Sequence, residues 1–174
     1  MQDDAWVLPV GETGEPRAIA KSRFGEGSAK FSPDGRYIAY SSTESGKAEI
    51  YVQPFPGLGP KLQISNNGGT DPVWRHSGGE LYYRSDNKMM VVSVTTSPEF
   101  RASAPKQLWE GDYSDGSGAS CGMPGVSSSN YDVTADGQRF LMVRDDDRVG
   151  ANHIVVVLNW AEELKAKAQR SAGK

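Results

Sequence analysis

The chain repeats itself, and the repeat decides the fold class before any single residue does. Ala29-Lys-Phe-Ser-Pro-Asp-Gly-Arg-Tyr-Ile-Ala-Tyr40 aligns with Pro72-Val-Trp-Arg-His-Ser-Gly-Gly-Glu-Leu-Tyr-Tyr83 and with Tyr131-Asp-Val-Thr-Ala-Asp-Gly-Gln-Arg-Phe-Leu-Met142. Each copy has an apolar residue (Phe31, Trp74, Val133), three residues, a glycine (Gly35, Gly78, Gly137) and then an apolar run. Trp74 follows Phe31 by 43 residues and Val133 follows Trp74 by 59. The surplus falls within 111–128, a stretch dense in Gly, Ser and Asp. Asp34-Gly35 and Asp136-Gly137 predict tight turns whose glycine takes positive φ, where a side chain is strained.

Around these turns lie short runs rich in Tyr, Val and Ile, such as Tyr37-Ile-Ala-Tyr40, Leu81-Tyr-Tyr83, Met89-Met-Val-Val92 and Ile154-Val-Val-Val-Leu158. Bounded by Gly, Pro, Asn and Ser, they predict strands. Several are apolar at consecutive positions, which predicts strands covered on both faces. One helix is predicted over 159–170, because Asn159-Trp-Ala-Glu162 has the form of a capping box and good helix formers follow. A period of about 40–45 residues with four strands per unit marks a β-propeller. The expectation is therefore an all-β partial propeller of about three four-stranded antiparallel blades with a short C-terminal helix.

The blades divide as 21–66, 67–110 and 111–158, the last holding a loop insertion over Gly111–Ser128. Residues 1–20 supply the outer strands of a preceding blade, Trp6–Val10 and Pro16–Ala20. With strands a to d counted from the channel outward, blades one and two are complete, with d at Lys61–Ser65 and Lys106–Trp109. Blade three has a, b and c, the c strand at Ile154–Leu158. Thirteen strands cannot close a ring, since a closed propeller needs at least about four blades.

Composition excludes several functions. Of 174 residues, 37% are hydrophobic and 24% charged, and the mean hydropathy is −0.56. No apolar run reaches bilayer length, so no membrane association is expected. With 19 basic and 22 acidic residues the net charge is −3, which argues against a nucleic-acid partner. The lone Cys121 excludes an internal disulfide or a cysteine-cluster metal site. The first residues, Met1-Gln-Asp-Asp-Ala-Trp6, have no basic stretch and no apolar segment of signal-peptide length.

Phe31-Ser-Pro-Asp-Gly-Arg-Tyr-Ile-Ala-Tyr40 followed by Ser45-Gly-Lys-Ala-Glu-Ile-Tyr-Val52 closely resembles the TolB-like, WD-like β-propeller repeat. Tyr51-Val-Gln-Pro-Phe-Pro-Gly57, Ile64-Ser-Asn-Asn-Gly-Gly69 and Leu158-Asn-Trp-Ala-Glu-Glu-Leu-Lys165 resemble a narrower bacterial group. In that group such propellers follow serine/threonine-kinase or transcription-regulator domains. The resemblance implies a propeller that supplies binding surfaces, in a family often periplasmic or extracellular. Blade two departs from the motif, with Ser77-Gly-Gly79 where Asp-Gly-Arg is usual.

The candidates for chemistry each have a plainer reading. Gly118-Ala-Ser120-Cys-Gly122 matches the Gly-x-Ser-x-Gly pattern of hydrolases but lacks the strand before and the helix after that an elbow needs. His76 and His153 are the two histidines that could act as its base. His76 falls in an a–b turn, where an exposed residue is expected, and His153 begins a strand. Cys121 has no basic neighbour in sequence to activate it. Asp112 and Asp115 offer oxygen ligands for Ca²⁺, without the spacing of a calcium-binding loop. Asp34, Gly35, Gly78, Asp136 and Gly137 are expected to be structural turn residues. Most of the aromatics Phe31, Tyr37, Tyr40, Tyr51, Trp74, Tyr82 and Tyr83, which recur at equivalent repeat positions, are expected to pack between blades.

These residues point to a non-catalytic module for protein–protein interaction or assembly, with no cofactor. A hydrolase using 118–122 and a small-ligand sensing propeller are the alternatives. The expected partners are a second copy in a homodimer that closes a six-bladed ring, the rest of a longer parent chain, or another protein.

Overall fold

Turn residues cut the chain into strands, and each strand pairs antiparallel with its neighbour in sequence. The computed structural model describes residues 5–11, 14–20, 23–57, 59–113 and 131–143. An N-terminal hairpin pairs β1 (Ala5–Val7) with β2 (Arg17–Ala20). Blade one is the sheet β3 (Glu26–Phe31), β4 (Tyr37–Ser42), β5 (Glu49–Pro54) and β6 (Leu62–Gln63), in that order. Blade two runs β7 (Thr70–Trp74), β8 (Glu80–Ser85) and β9 (Lys88–Thr95). Its outer edge is shared by β10 (Arg101–Ala102) and β11 (Lys106–Glu110), both paired to the long β9. A final pair joins β12 (Tyr131–Val133) to β13 (Phe140–Met142).

The all-β blades of the repeat are thus present, with differences at the edges. The first strand stops at Val7 and does not reach Val10, because Pro9 has no N–H to give a ladder. Strand d of blade one shrinks to Leu62–Gln63, two exposed residues. Blade two has an outer strand that sequence patterning did not suggest, β10, since Arg-Ala carries no apolar signal. The predicted strand at Ile154–Leu158, the helix at 159–170 and most of the Gly111–Ser128 insertion lie outside the described residues. The thirteen strands among the described residues are therefore not the thirteen expected.

The period of two explains why the inner strands are buried on both faces. On β4, Tyr37 and Ala39 face blade two while Ile38 and Tyr40 face the N-terminal hairpin. On β8, Leu81 and Tyr83 face blade one while Tyr82 faces β12–β13. Three apolar layers result. Ala5, Val7 and Ile19 of the hairpin meet Ile38, Tyr40 and Tyr51. Ile50, Val52 and Ile64 meet Trp74, Leu81 and Val92. Met89, Val91 and Trp109 meet Val133, Phe140 and Met142. Each fully buried side chain of this kind contributes about 1.5–3 kcal/mol, so the layers hold the sheets face to face.

Polar latches add register between blades. The Trp74 indole Nε1–H donates to the Lys30 carbonyl at 3.1 Å, joining β7 to β3. The Tyr131 hydroxyl donates to the Asp71 carbonyl at 2.7 Å, joining β12 to β7. Ser28 Oγ donates to Asp71 Oδ1 at 3.0 Å. Ser28 and Asp71 both have φ of 53° and both sit where an extra residue breaks the ladder, between Gly27 and Lys30 and between Thr70 and Val73. The repeat thus reproduces a β-bulge as well as its strands.

The a–b turns show the repeat at atomic detail. In blade one, Gly35 N–H donates to the Ser32 carbonyl at 2.8 Å and Arg36 N–H to Asp34 Oδ1 at 3.1 Å. Ser32 Oγ donates to the same carboxylate at 2.6 Å. In blade three, Gly137 N–H donates to the Thr134 carbonyl at 2.8 Å, Gln138 N–H to Asp136 Oδ1 at 3.0 Å and Thr134 Oγ1 to that oxygen at 2.5 Å. Gly35 and Gly137 have φ of 68° and 70°. Blade two keeps the backbone turn, Gly78 N–H to the Arg75 carbonyl at 2.8 Å. It has no Asp in the loop and places two glycines, Gly78 and Gly79, at positive φ.

These hydrogen bonds set a pH dependence. Burial raises the Asp34 carboxyl, but hydrogen bonds from Ser32, Thr96 and the Arg36 N–H, with the Arg36 charge, bring it below 3.8. Asp136 lies below 3.8 chiefly through the Thr134 hydroxyl and the Gln138 N–H. A carboxyl with a depressed folded pKa stabilises above its unfolded pKa and loses that contribution as pH falls through the folded one. Asp34→Asn with Asp136→Asn is therefore expected to lower the urea midpoint near neutral pH. The gap to the unaltered chain should narrow at about pH 3. A gap that is the same at both pH values would show that the two carboxylates do not act through their charge.

Candidate ligand-binding groove

The three inner strands converge, and their convergence makes a groove of about 500 Å³. Blade one contributes Lys30, Phe31 and Pro33, blade two Val73, Trp74 and His76, and the final pair Tyr131 and Asp132. All come from the a strands or the turns that follow them, so the repeat itself builds the groove. Its floor is fixed by the latches at Trp74 and Tyr131. Burial pushes the Tyr131 hydroxyl well up, as does the nearby Asp71, so it remains a protonated donor to the Asp71 carbonyl.

Phe31 gives the groove its character. The other repeat aromatics, Tyr37, Tyr40, Tyr51, Trp74, Tyr82 and Tyr83, are buried, whereas Phe31 is 48% exposed. Most of the set is thus buried as expected, and Phe31 is the exception. One edge of its ring rests against Phe55, with centroids 5.1 Å apart, and the remainder opens on the groove. Lys30 and Asp132 are exposed, and His76 stands exposed in the a–b turn. The groove therefore offers an apolar ring flanked by a cation, a carboxylate and an imidazole.

Beside it, a polar clamp ties blade two to the final turn. Arg75 Nη1 donates to Glu80 Oε2 at 3.0 Å, and Arg75 Nη2 donates to the Asp136 carbonyl at 2.7 Å. The Tyr82 hydroxyl donates to the same Glu80 oxygen at 2.7 Å. Burial, then the Glu80 hydrogen bond and charge, raise the Tyr82 hydroxyl pKa. A second carboxylate, Glu49, this one buried, accepts from the Gly68 N–H at 2.9 Å and from Ser65 Oγ, with Lys47 Nζ at 3.5 Å. It pins strand c of blade one to the segment that leads into blade two. Sequence reasoning missed both. A Glu heading the run Glu49-Ile-Tyr-Val52 was the available signal, since a charge in a strand buried on both faces needs partners.

Of the other candidates, Ser120, Cys121, His153 and Asp115 lie outside the described residues. Asp112 is exposed on the segment after β11. Its neighbours are held there, with Gly111 N–H donating to the Asn87 carbonyl at 2.9 Å and Arg84 Nη2 to the Tyr113 carbonyl at 3.1 Å. Among the described residues, no three His, Cys, Asp or Glu side chains gather as metal ligands.

No protein-family model matches the chain. A stretch of 70 residues, 40% of the chain, is 36% identical to a Streptomyces coelicolor protein named as a tricorn protease homolog. This chain spans 6% of that protein's length. Among solved structures it is similar to TolB from Acinetobacter baumannii, at 17% identity and a TM-score of 0.46. That likeness covers 79% of this chain and 42% of TolB. The chain is a stack of propeller blades. Its own sheets carry that statement: antiparallel strands paired in sequence order, four in blade one and five in blade two, with faces buried against the next blade.

Proposed function

We propose that the chain is a non-catalytic propeller module that binds a segment of another polypeptide along its inner strands. The observation that carries this reading is Phe31, a half-exposed aromatic set in a groove while its counterparts in the repeat are buried. An aromatic with one face free, ringed by Lys30, His76 and Asp132, suits a peptide that brings one apolar side chain with charged neighbours. Interfaces of this kind draw most of their energy from a few such anchors.

The test is selection of peptides from a displayed random library on the unaltered chain, followed by titration on Phe31→Asp. Phe31 is exposed enough for the substitution to leave the layers between blades intact. Selected peptides should carry an aromatic or aliphatic anchor, and they should lose about tenfold or more in affinity, roughly 1.4 kcal/mol, on the variant. Peptides that bind both forms equally, or a library that yields none, would contradict the reading.

The name of the Streptomyces relative supports a second reading, a hydrolase in which Ser120 would be the nucleophile. Turnover of generic esterase or peptidase substrates that disappears in Ser120→Ala would favour it. Equal background in both forms would remove it.

A further inference from the structure

One position of the repeat faces the groove with a different chemistry in each copy. It is the residue just before the last of each inner strand: Lys30 before Phe31 in β3, Val73 before Trp74 in β7 and Asp132 before Val133 in β12. The pairing register treats the three alike. Lys30 stands opposite Ala39, Val73 opposite Tyr82 and Asp132 opposite Leu141, which are one position of the repeat on strand b. Trp74 and Val133 pack on the blade before them, so the period of two turns the residue ahead of each toward the blade that follows. All three line the groove, and Lys30 and Asp132 are exposed. The latch at Lys30 uses its backbone carbonyl and leaves the ammonium out of the joint. At Asp132 one carboxylate oxygen accepts the Val133 N–H at 2.8 Å, which steadies the charge at the groove's edge.

The inner strands lie side by side in chain order, β7 latched to β3 through Trp74 and β12 to β7 through Tyr131. A ligand that crosses them from blade one meets the Phe31 ring and the Lys30 ammonium first, then the Val73 methyls, then the Asp132 carboxylate. We propose that the groove selects polypeptide segments by the order of their charges: an acidic residue beside the apolar anchor, over Lys30, and a basic residue farther along, over Asp132, with an apolar stretch across Val73 between them. The inference rests on the peptide-binding reading above and names the chemistry of the partner. Opposite charges at the two ends orient the segment. Laid the other way round, it sets base against Lys30 and acid against Asp132, and like charges in a groove repel. Exposed charge pairs add little affinity each, so their effect is on which segment binds and in which direction. The net charge of −3 carries no sign of this, because the two groove charges cancel.

The displayed peptide library tests it when selected in parallel on the unaltered chain and on a chain carrying Lys30→Glu with Asp132→Lys, at about pH 8, above the ordinary range of an imidazole. Peptides from the unaltered chain should carry an acidic residue beside the anchor and a basic one beyond it, and peptides from the exchanged chain the reverse. Titrated against both proteins, each peptide should favour the chain it was selected on by about fivefold or more at low salt. The preference should fade toward parity at about 0.5 M salt, where exposed charges are screened. Lys30→Gln with Asp132→Asn keeps hydrogen-bonding groups and removes both charges, and it stands in should the exchanged chain fail to fold. On it, a selected peptide and the same peptide with its acid and base exchanged should bind equally. Peptides that need Phe31 yet show no charge order, or the same order on both chains, would overturn the charge rule and leave the peptide-binding reading in place. A library that yields no peptide would overturn both.

Discussion

Trp74→Ala should cost about 3–5 kcal/mol of folding stability, the range for removing a large aromatic from a packed core. Trp74 is 6% exposed and lies in the layer between blades one and two with Tyr37, Ile50, Leu81 and Val92. Its indole also latches β7 to the Lys30 carbonyl of β3. Truncation therefore opens a cavity in the largest interblade layer and cuts a bond between two inner strands. Domains are stable by about 5–15 kcal/mol, so the loss is a large share of the total. Trp109→Ala is the comparison. Trp109 is half-buried on the outer strand of blade two, against Phe140 at 4.7 Å between centroids, and its removal should cost clearly less. Urea unfolding followed by circular dichroism reads both. Equal losses, or a loss under about 1 kcal/mol at Trp74, would mean that the blades do not pack as described.

Gly137→Val should be the more damaging of two substitutions that the sequence treats as equivalent. Gly35 and Gly137 share the repeat position and the same positive φ, so a β-branched residue strains the backbone at both, by about 1–3 kcal/mol. Space separates them. A Cβ at Gly35 meets nothing within 4 Å. A Cβ at Gly137 comes within 2.9 Å of both Arg75 Nε and Tyr82 Oη. Neither can step aside easily, because Arg75 is held by Glu80 and the Asp136 carbonyl, and the Tyr82 hydroxyl by Glu80. Overpacking adds about 1–3 kcal/mol, so Gly137→Val should lose roughly twice what Gly35→Val loses. Matching urea midpoints for the two variants would show that the clamp yields.

The contrast between these glycines marks how far the residues alone could lead. Positive φ at Gly35 and Gly137 follows from the Asp-Gly turn, a local matter that spacing reveals. The clamp around Gly137 joins Arg75 to Asp136 across 61 residues, and no local pattern carries such a contact. The strands with consecutive apolar residues were legible for the same reason, since burial on both faces leaves its mark in each strand separately. Edge strands were legible in part: Pro16–Ala20 and Lys106–Trp109 reappear as β2 and β11, while two others escaped. β10 and the shortened β6 are polar or exposed, and their pairing is decided by the strand beside them. Blade two's departure from the Asp-Gly-Arg motif becomes intelligible only in the fold, where Gly78 and Gly79 keep the backbone turn and Arg75–Glu80 supplies a side-chain bond across it.

The groove was the least legible feature. Its walls come from three copies of the repeat, 43 and 59 residues apart, and periodicity could not single out which aromatic of the set stays exposed. Phe31 stays half-exposed because the ring set against it is Phe55, just past the end of β5, and that contact covers only part of it. His76 was legible as an exposed turn residue. That the same turn forms one wall of a groove depends on where blade one sits.

The indole N–H resonances give the most direct test of the binding reading. The chain has four tryptophans, Trp6, Trp74, Trp109 and Trp160, each contributing one cross-peak in a proton–nitrogen correlation spectrum. A peptide selected on the unaltered chain should shift the Trp74 cross-peak during titration, since its indole forms part of the groove and donates to Lys30. The Trp109 cross-peak, on the outer strand of blade two, should stay in place. A Trp109 peak that moves while Trp74 stays fixed would put the peptide on the outer edge of the blades and contradict the account.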